Sequence, residues 1–226
     1  MTAHTSKEFE HELQSLRNRL REMGARAEEQ ISRAMRALAE QDDALAREVL
    51  RGDDAIDLDE LEIDELAQTI LATRQPVASD LRFLTTALKI VTDLERIGDL
   101  AAGIAKRALE LNRLPPFKPN IDLGHLANLV QINLRAGLDA FVARDADRAT
   151  AVIVADKEID RMNASLFAEL LAHIVADPAN VTRILPMTSV CRYLERIGDH
   201  VKNLSEGVVY MVRARDVRHR PLPTPH

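Results

Sequence analysis

Apolar residues recur by threes and fours along most of the chain. Phe9, Leu13, Leu16, Leu20, Met23, Ala27, Ile31, Ala34 and Leu38 form the first such stripe, the mark of an amphipathic helix with one buried face. Thr5 and Glu8 are spaced as a capping box, and this helix is expected to run to about Gln41. Asp42 and Asp43 read as turn and N-cap of a short helical piece that Gly52 interrupts. Ile56, Leu61, Leu66 and Ile70 carry a second helix from about Asp53 to Arg74. Pro76 ends it, because proline lacks an amide donor and restricts the residue before it. A third helix is expected from about Val77 to Leu111, with Leu84, Leu88, Val91, Gly98 and Ala102 on its inner stripe.

The pattern then starts again. Pro115, Pro116 and Pro119 mark a linker, and Asn120 is placed to cap a fourth helix through Leu123, Leu126, Val130, Leu134, Leu138 and Phe141. Asp145 and Asp147 form a turn before a fifth helix, about Arg148 to Ala176, with a break expected near Asp156 to match Gly52. Asp177-Pro178 ends it. Asn180 reads as the N-cap of a sixth helix reaching Arg213, which Pro186 should kink. The expected fold is all-α: six helices in two pseudo-symmetric three-helix bundles. The first covers residues 1–114, a proline-rich linker 115–119, the second bundle 120–213 and a flexible tail 214–226.

A direct repeat supports the duplication. Leu94-Glu95-Arg96-Ile97-Gly98-Asp99 recurs letter for letter as Leu194-Glu195-Arg196-Ile197-Gly198-Asp199. Fixed-period self-similarity sets the architecture before any local reading. On a helix Glu95 and Asp99 are i,i+4 neighbours, as are Glu195 and Asp199, and like charges so placed destabilise a bare helix by a few tenths of a kcal/mol. At about 100° per residue Glu95 falls within the apolar stripe of its helix, whereas Asp93 points away and reads as solvated. Gly98 shares the stripe. A mid-helix Gly costs about 1 kcal/mol relative to Ala, so close approach by a neighbour is its natural explanation.

Antiparallel helices bring residues equidistant from their turn level with each other. Reflection through Pro76 sets Glu95 opposite Asp57 and Asp99 opposite Asp53. Reflection through Asp177-Pro178 sets Glu195 and Asp199 close to Asp160 and Asp156. Four carboxylates at one level of a bundle repel unless protonated or bound to cations, and such bundles are known hosts for multinuclear metal. Glu95, Asp99, Glu195, Asp199, Asp57, Asp160, Asp53 and Asp156 are therefore the candidate metal ligands. The bland alternatives are ion pairing to Arg96 and Arg196 for the motif residues, and plain helix capping for the four Asp. All-oxygen ligation suits magnesium, manganese, calcium or iron better than a structural zinc site. Glu8-x-x-His11 is one half of a ferritin-type pattern whose second half is missing. His200 projects about 100° from Asp199 and reads as a surface residue, and Asn203 is the better-placed extra partner. Cys191, equivalent to Val91, reads as a small core residue.

Composition narrows the function classes. The net charge of -6 argues against nucleic acid as the main partner, and 46% hydrophobic residues suffice for a core. Aromatics are scarce, while Ala, Leu, Glu and Arg dominate, as in helical proteins. One cysteine allows no intrachain disulfide and fits a reducing compartment. The N-terminus has no apolar signal region, and no run approaches the ~18–20 apolar residues of a membrane span. The expectation is a soluble, cytoplasmic protein that reaches a membrane only by docking. No phosphate-cradling glycine loop, nucleophile elbow or paired-cysteine zinc pattern occurs.

The doubled Leu-Glu-Arg-Ile-Gly-Asp element, with Gln75-Pro76-Val77-Ala78-Ser79-Asp80-Leu81-Arg82 before its first copy, resembles the PhoU family of bacterial phosphate-uptake regulators over about residues 8–213. The resemblance implies a metal-binding adaptor and not an enzyme. Its metals would be multinuclear, drawn from iron, manganese, magnesium or zinc. Its implied partners are the ATPase subunit of the phosphate ABC transporter and a sensor histidine kinase, with peripheral attachment to the membrane through them. A homodimer and negative regulation of the phosphate-starvation response are also implied. By the family's motif the ligands carry over to Glu95, Asp99, Glu195 and Asp199, with Asp57 and Asp160 less firmly matched. The competing class is a multinuclear-carboxylate hydrolase or oxidase, against which stands the lack of a nucleophile–base pair near the motifs.

Overall fold

The computed structural model describes residues 3–115 and 121–218, with side chains from residue 7 onward. Six α-helices account for nearly all of them: α1 Ala3–Glu40, α2 Asp43–Arg74, α3 Ala78–Leu111, α4 Leu123–Ala143, α5 Ala146–Ala176 and α6 Val181–Arg213. A single 3₁₀ turn, Pro178–Asn180, precedes α6, and there is no strand among the described residues. The all-α, two-bundle reading stands.

The turns repeat between halves as the helices do. Gln41 (φ 57°) and Arg144 (φ 52°) each adopt the left-handed conformation that ends a helix. Each is followed by an Asp that caps the next one. Asp42 accepts from the Leu45 amide at 2.9 Å, and Asp145 accepts from the Asp147 and Arg148 amides at 3.0 and 2.9 Å. Asp122 caps α4 through the His125 amide at 2.8 Å, while the expected cap Asn120 lies outside the described residues. α1 begins at Ala3, so the Thr5–Glu8 pair lies within the helix.

Two expected helix breaks do not occur. α2 runs unbroken through Gly52 and α5 through Asp156. The cost of a helical glycine is small against a whole helix of buried side chains. Gly52 is needed for another reason: the Gln30 side-chain amide occupies the space a Cβ would fill. Asp53 and Asp156 are consequently not caps. Each is the eleventh residue of its helix. Asn180 makes no side-chain cap either; Asp177 accepts from the Ala179 amide at 3.0 Å instead. Pro186, buried in the second turn of α6, does not end that helix.

One continuous apolar core draws on all six helices. At its centre α3 and α6 pack along each other, α3 also packing on α1 and α2, and α6 on α4 and α5. Their contacts run antiparallel. Arg82 Nε donates to the Met211 carbonyl at 3.3 Å, Asp93 meets His200 at 2.9 Å, and further along Gly103 faces the Tyr193 ring. This register sets the two repeated motifs level with each other at the middle of the molecule. Past α6, Val217 still packs against the core; the remainder of the expected tail, from His219, lies outside the described residues.

Candidate metal centre

Each motif faces the helix before it in the chain. A Cβ on Gly98 would lie 2.9 Å from Ile56 Cδ1 and 3.4 Å from Asp53 Oδ1. On Gly198 it would lie 3.3 Å from both Asp156 Oδ1 and Ile159 Cγ2. The motif glycines are thus where α3 closes on α2 and α6 on α5, and an aspartate of the preceding helix stands over each. Both halves show the facing expected from reflection through their turns. Asp53 and Asp57 join Glu95 and Asp99; Asp156 and Asp160 join Glu195 and Asp199.

The electrostatics are those of carboxylates crowded together and partly out of water. Burial first, then Asp99 and Asp57, together push the Asp53 carboxyl up to about 6. Glu95 is raised by burial and by Asp99, and Glu60 by burial and by Asp64. Asp160, Glu195 and Asp199 are all raised, first by burial and then by each other's neighbours Asp156 and Asp199.

Arginines answer part of this charge. Arg96 Nη1 donates to Asp99 Oδ2 at 3.0 Å. Its Nε lies 3.3 Å from Glu95 Oε2 without hydrogen-bonding geometry, so that buried oxygen has no hydrogen-bond partner. In the second half Lys202 Nζ donates to Asp156 Oδ2 at 2.9 Å, reaching from α6 to an almost fully buried carboxylate on α5. Lys202 was not singled out from sequence, although it follows Asp199 by three residues and shares its face. Glu60 is likewise absent from the ligands expected from sequence. Its position three residues after Asp57 would have placed it in the first group.

Other expectations need correction. Asp93 and His200, both read as solvated, are largely buried against one another. Asn203 does not join the carboxylates; it lines a cavity of about 850 Å³ between α3 and α6 with Thr92, Asp93 and Tyr210. Glu8 belongs to an ion pair, with Glu12, around Arg74. Cys191 is buried as expected, and its thiol is pushed up to about 11 by loss of water. Among the described residues no three His, Cys, Asp or Glu side chains already stand in a metal-holding arrangement.

Comparison with known proteins places this geometry. A family model described as PhoU domain matches residues 20–108 and 123–208, one match for each half. This chain belongs to the PhoU family. The PhoU homolog of Pseudomonas putida, a phosphate-specific transport system accessory protein, is 43% identical over 98% of this chain and 87% of its own length. The accessory protein PhoU of Escherichia coli K12 is 35% identical over 97% of this chain and 91% of its own. Among solved structures, PhoU from Pseudomonas aeruginosa superposes with a TM-score of 0.88 at 40% identity, covering 92% of this chain and all of that one. PhoU from Streptococcus pneumoniae gives 0.85 at 29% identity, covering 92% and 99%. The doubled PhoU match falls on the two halves that the doubled motif defines.

Proposed function

We propose that this chain is a metal-binding accessory regulator of phosphate uptake, which restrains the phosphate-starvation response by docking and not by catalysis. The observation that carries this is similarity over nearly its whole length to proteins named as phosphate-specific transport system accessory proteins. The proposed partners are the ATPase subunit of the phosphate ABC transporter and a sensor histidine kinase, met at the cytoplasmic membrane face, with self-association as a dimer. No helix among the described residues is long and apolar enough to cross a membrane, so attachment would go through those proteins. Phe167, Leu171 and Val175, spaced by four along α5, leave an exposed apolar stripe that supports such docking.

The residues fit a bound metal. They offer only oxygen donors, burial and then neighbouring carboxylates raise Asp53, Glu95, Asp160, Glu195 and Asp199 above the usual carboxylate range, and the buried Glu95 Oε2 has no hydrogen bond to lose. Asp53, Asp57, Glu95 and Asp99 would hold an ion in the first half, and Asp156, Asp160, Glu195 and Asp199 in the second. A bound cation supplies charge neutralisation that ties α2 to α3 and α5 to α6, so metal loss should loosen each bundle.

The test is deletion of the gene followed by a reporter for a starvation-induced promoter in phosphate-rich medium. The reporter is expected to fire. A silent reporter, together with failure of the purified protein to retain the transporter ATPase or kinase cytoplasmic domain, would overturn the regulatory reading.

A further inference from the structure

The repeat allows the two carboxylate groups to be compared residue by residue. On the motif helices the offset is one hundred, pairing Glu95 with Glu195 and Asp99 with Asp199. On the preceding helices Asp53 pairs with Asp156, Asp57 with Asp160 and Ile56 with Ile159; the last match is fixed by their common contact with the motif glycines. Carried one turn further in each direction, the same pairing finds, among its differences, one that adds a bonded cation to the second group and one that removes a carboxylate from it. Position 202 is a lysine where position 102 is an alanine, and position 163 is an asparagine where position 60 is a glutamate.

Both differences act in the same direction. The first group holds five carboxylates, Asp53, Asp57, Glu60, Glu95 and Asp99, whose mutual repulsion is felt at Asp53, Glu60 and Glu95. Its nearest cation, Arg96, belongs to the exposed side of α3 and has the counterpart Arg196 in the second half, so it does not distinguish the two. Lys106 acts on Asp53 through its field without a bond among the described contacts. The second group holds four carboxylates and, in addition to Arg196, the Lys202 ammonium bonded at 2.9 Å to Asp156. Asn163 contributes a neutral, buried and unbonded Oδ1 where Glu60 contributes a charge.

We infer that the two groups are unequal metal sites, the first being the tighter, and that Lys202 is a resident cation which any metal entering the second must displace. This rests on the metal-binding reading above. An ion entering the first group gains five anionic neighbours and breaks only an exposed arginine contact. An ion entering the second must break a bond to a buried carboxylate and then remain near the displaced ammonium, or wait until Lys202 turns to water along its partly exposed stem. The first half is thereby permanently loaded at metal concentrations to which the second half still responds.

Titration with Mn²⁺, followed by calorimetry and by the loss of the free-ion electron paramagnetic resonance signal, tests this on the full chain. Wild type should bind in two steps separated by at least tenfold in affinity. E95Q/D99N should abolish the tighter step and E195Q/D199N the weaker one. Lys202→Met keeps the apolar stem and should tighten the weaker step at least tenfold, leaving the other unchanged. Asn163→Glu removes no ion pair and should shift it in the same direction, so the inference stays open to test if the lysine variant folds poorly by circular dichroism. Two equal steps insensitive to both substitutions, or a tighter step assigned to the second half, would overturn the inequality while leaving metal binding intact. Absence of Mn²⁺ binding in every variant would overturn both.

Discussion

His200 Nδ1 and Asp93 Oδ1 lie 2.9 Å apart, joining α6 to α3 at the level of the two motifs, with less than a fifth of either side chain exposed. Removing one member leaves the other polar group largely buried without its partner, which costs about 1–3 kcal/mol. His200→Ala is therefore expected to lower the unfolding free energy by about that amount in urea denaturation. Asp93→Asn with His200→Gln, which can restore a neutral hydrogen bond, should recover part of it. Equal stability of His200→Ala and wild type would show that the pair contributes nothing.

The motif glycines should differ in their tolerance of a side chain. An alanine at 98 brings Cβ to 2.9 Å from Ile56 Cδ1 and 3.2 Å from its Cγ2, against a side chain that is fully buried. At 198 the nearest atoms are at 3.3 Å. Overpacking of this kind costs typically 1–3 kcal/mol, and the gain in helix propensity returns about 1 kcal/mol. Gly98→Ala should be destabilised by about 1 kcal/mol net, and Gly198→Ala by less. Thermal unfolding of the two variants side by side checks the order.

The crowded carboxylates also set a pH dependence for the metal-free protein. Asp53 has its folded value raised from 3.8 to about 6, so between those two the folded state holds the proton more tightly. The stability from this group is fully present below the lower value and is lost as pH rises through the upper one. Replacing it by the uncharged Asp53→Asn should leave stability unchanged near pH 4 relative to wild type. Above pH 7 it should raise stability by about 1 kcal/mol, a figure discounted for solvent screening of a half-exposed group. A difference between the two proteins that does not vary with pH would contradict the crowding. Metal affinity should fall as pH drops through the same range, because ligands must be deprotonated to bind.

Most of the architecture can be read from the chain because helix spacing, Asp caps and prolines are local signals, and an identical hexapeptide one hundred residues apart declares the duplication. Even the facing of Asp53 and Asp57 to the motif follows from the length of the helices on either side of Pro76. Other features depend on tertiary contact that no local pattern carries. Gly52 reads as a break because its covering residue, Gln30, comes from another helix. Asp93 and His200 read as solvated because the face away from the carboxylates is also buried, by the other half of the molecule. Lys202 is a surface residue by type, and its bond to Asp156 becomes visible only when α5 and α6 are set side by side.

Elemental analysis of the purified protein addresses the metal-binding reading most directly. Wild type is expected to retain divalent or trivalent metal through extensive dialysis. Glu95→Ala with Asp99→Ala should lose the share held by the first half and keep any ion bound in the second. A wild type free of metal, or a variant with unchanged metal content, would contradict the assignment of these carboxylates as ligands.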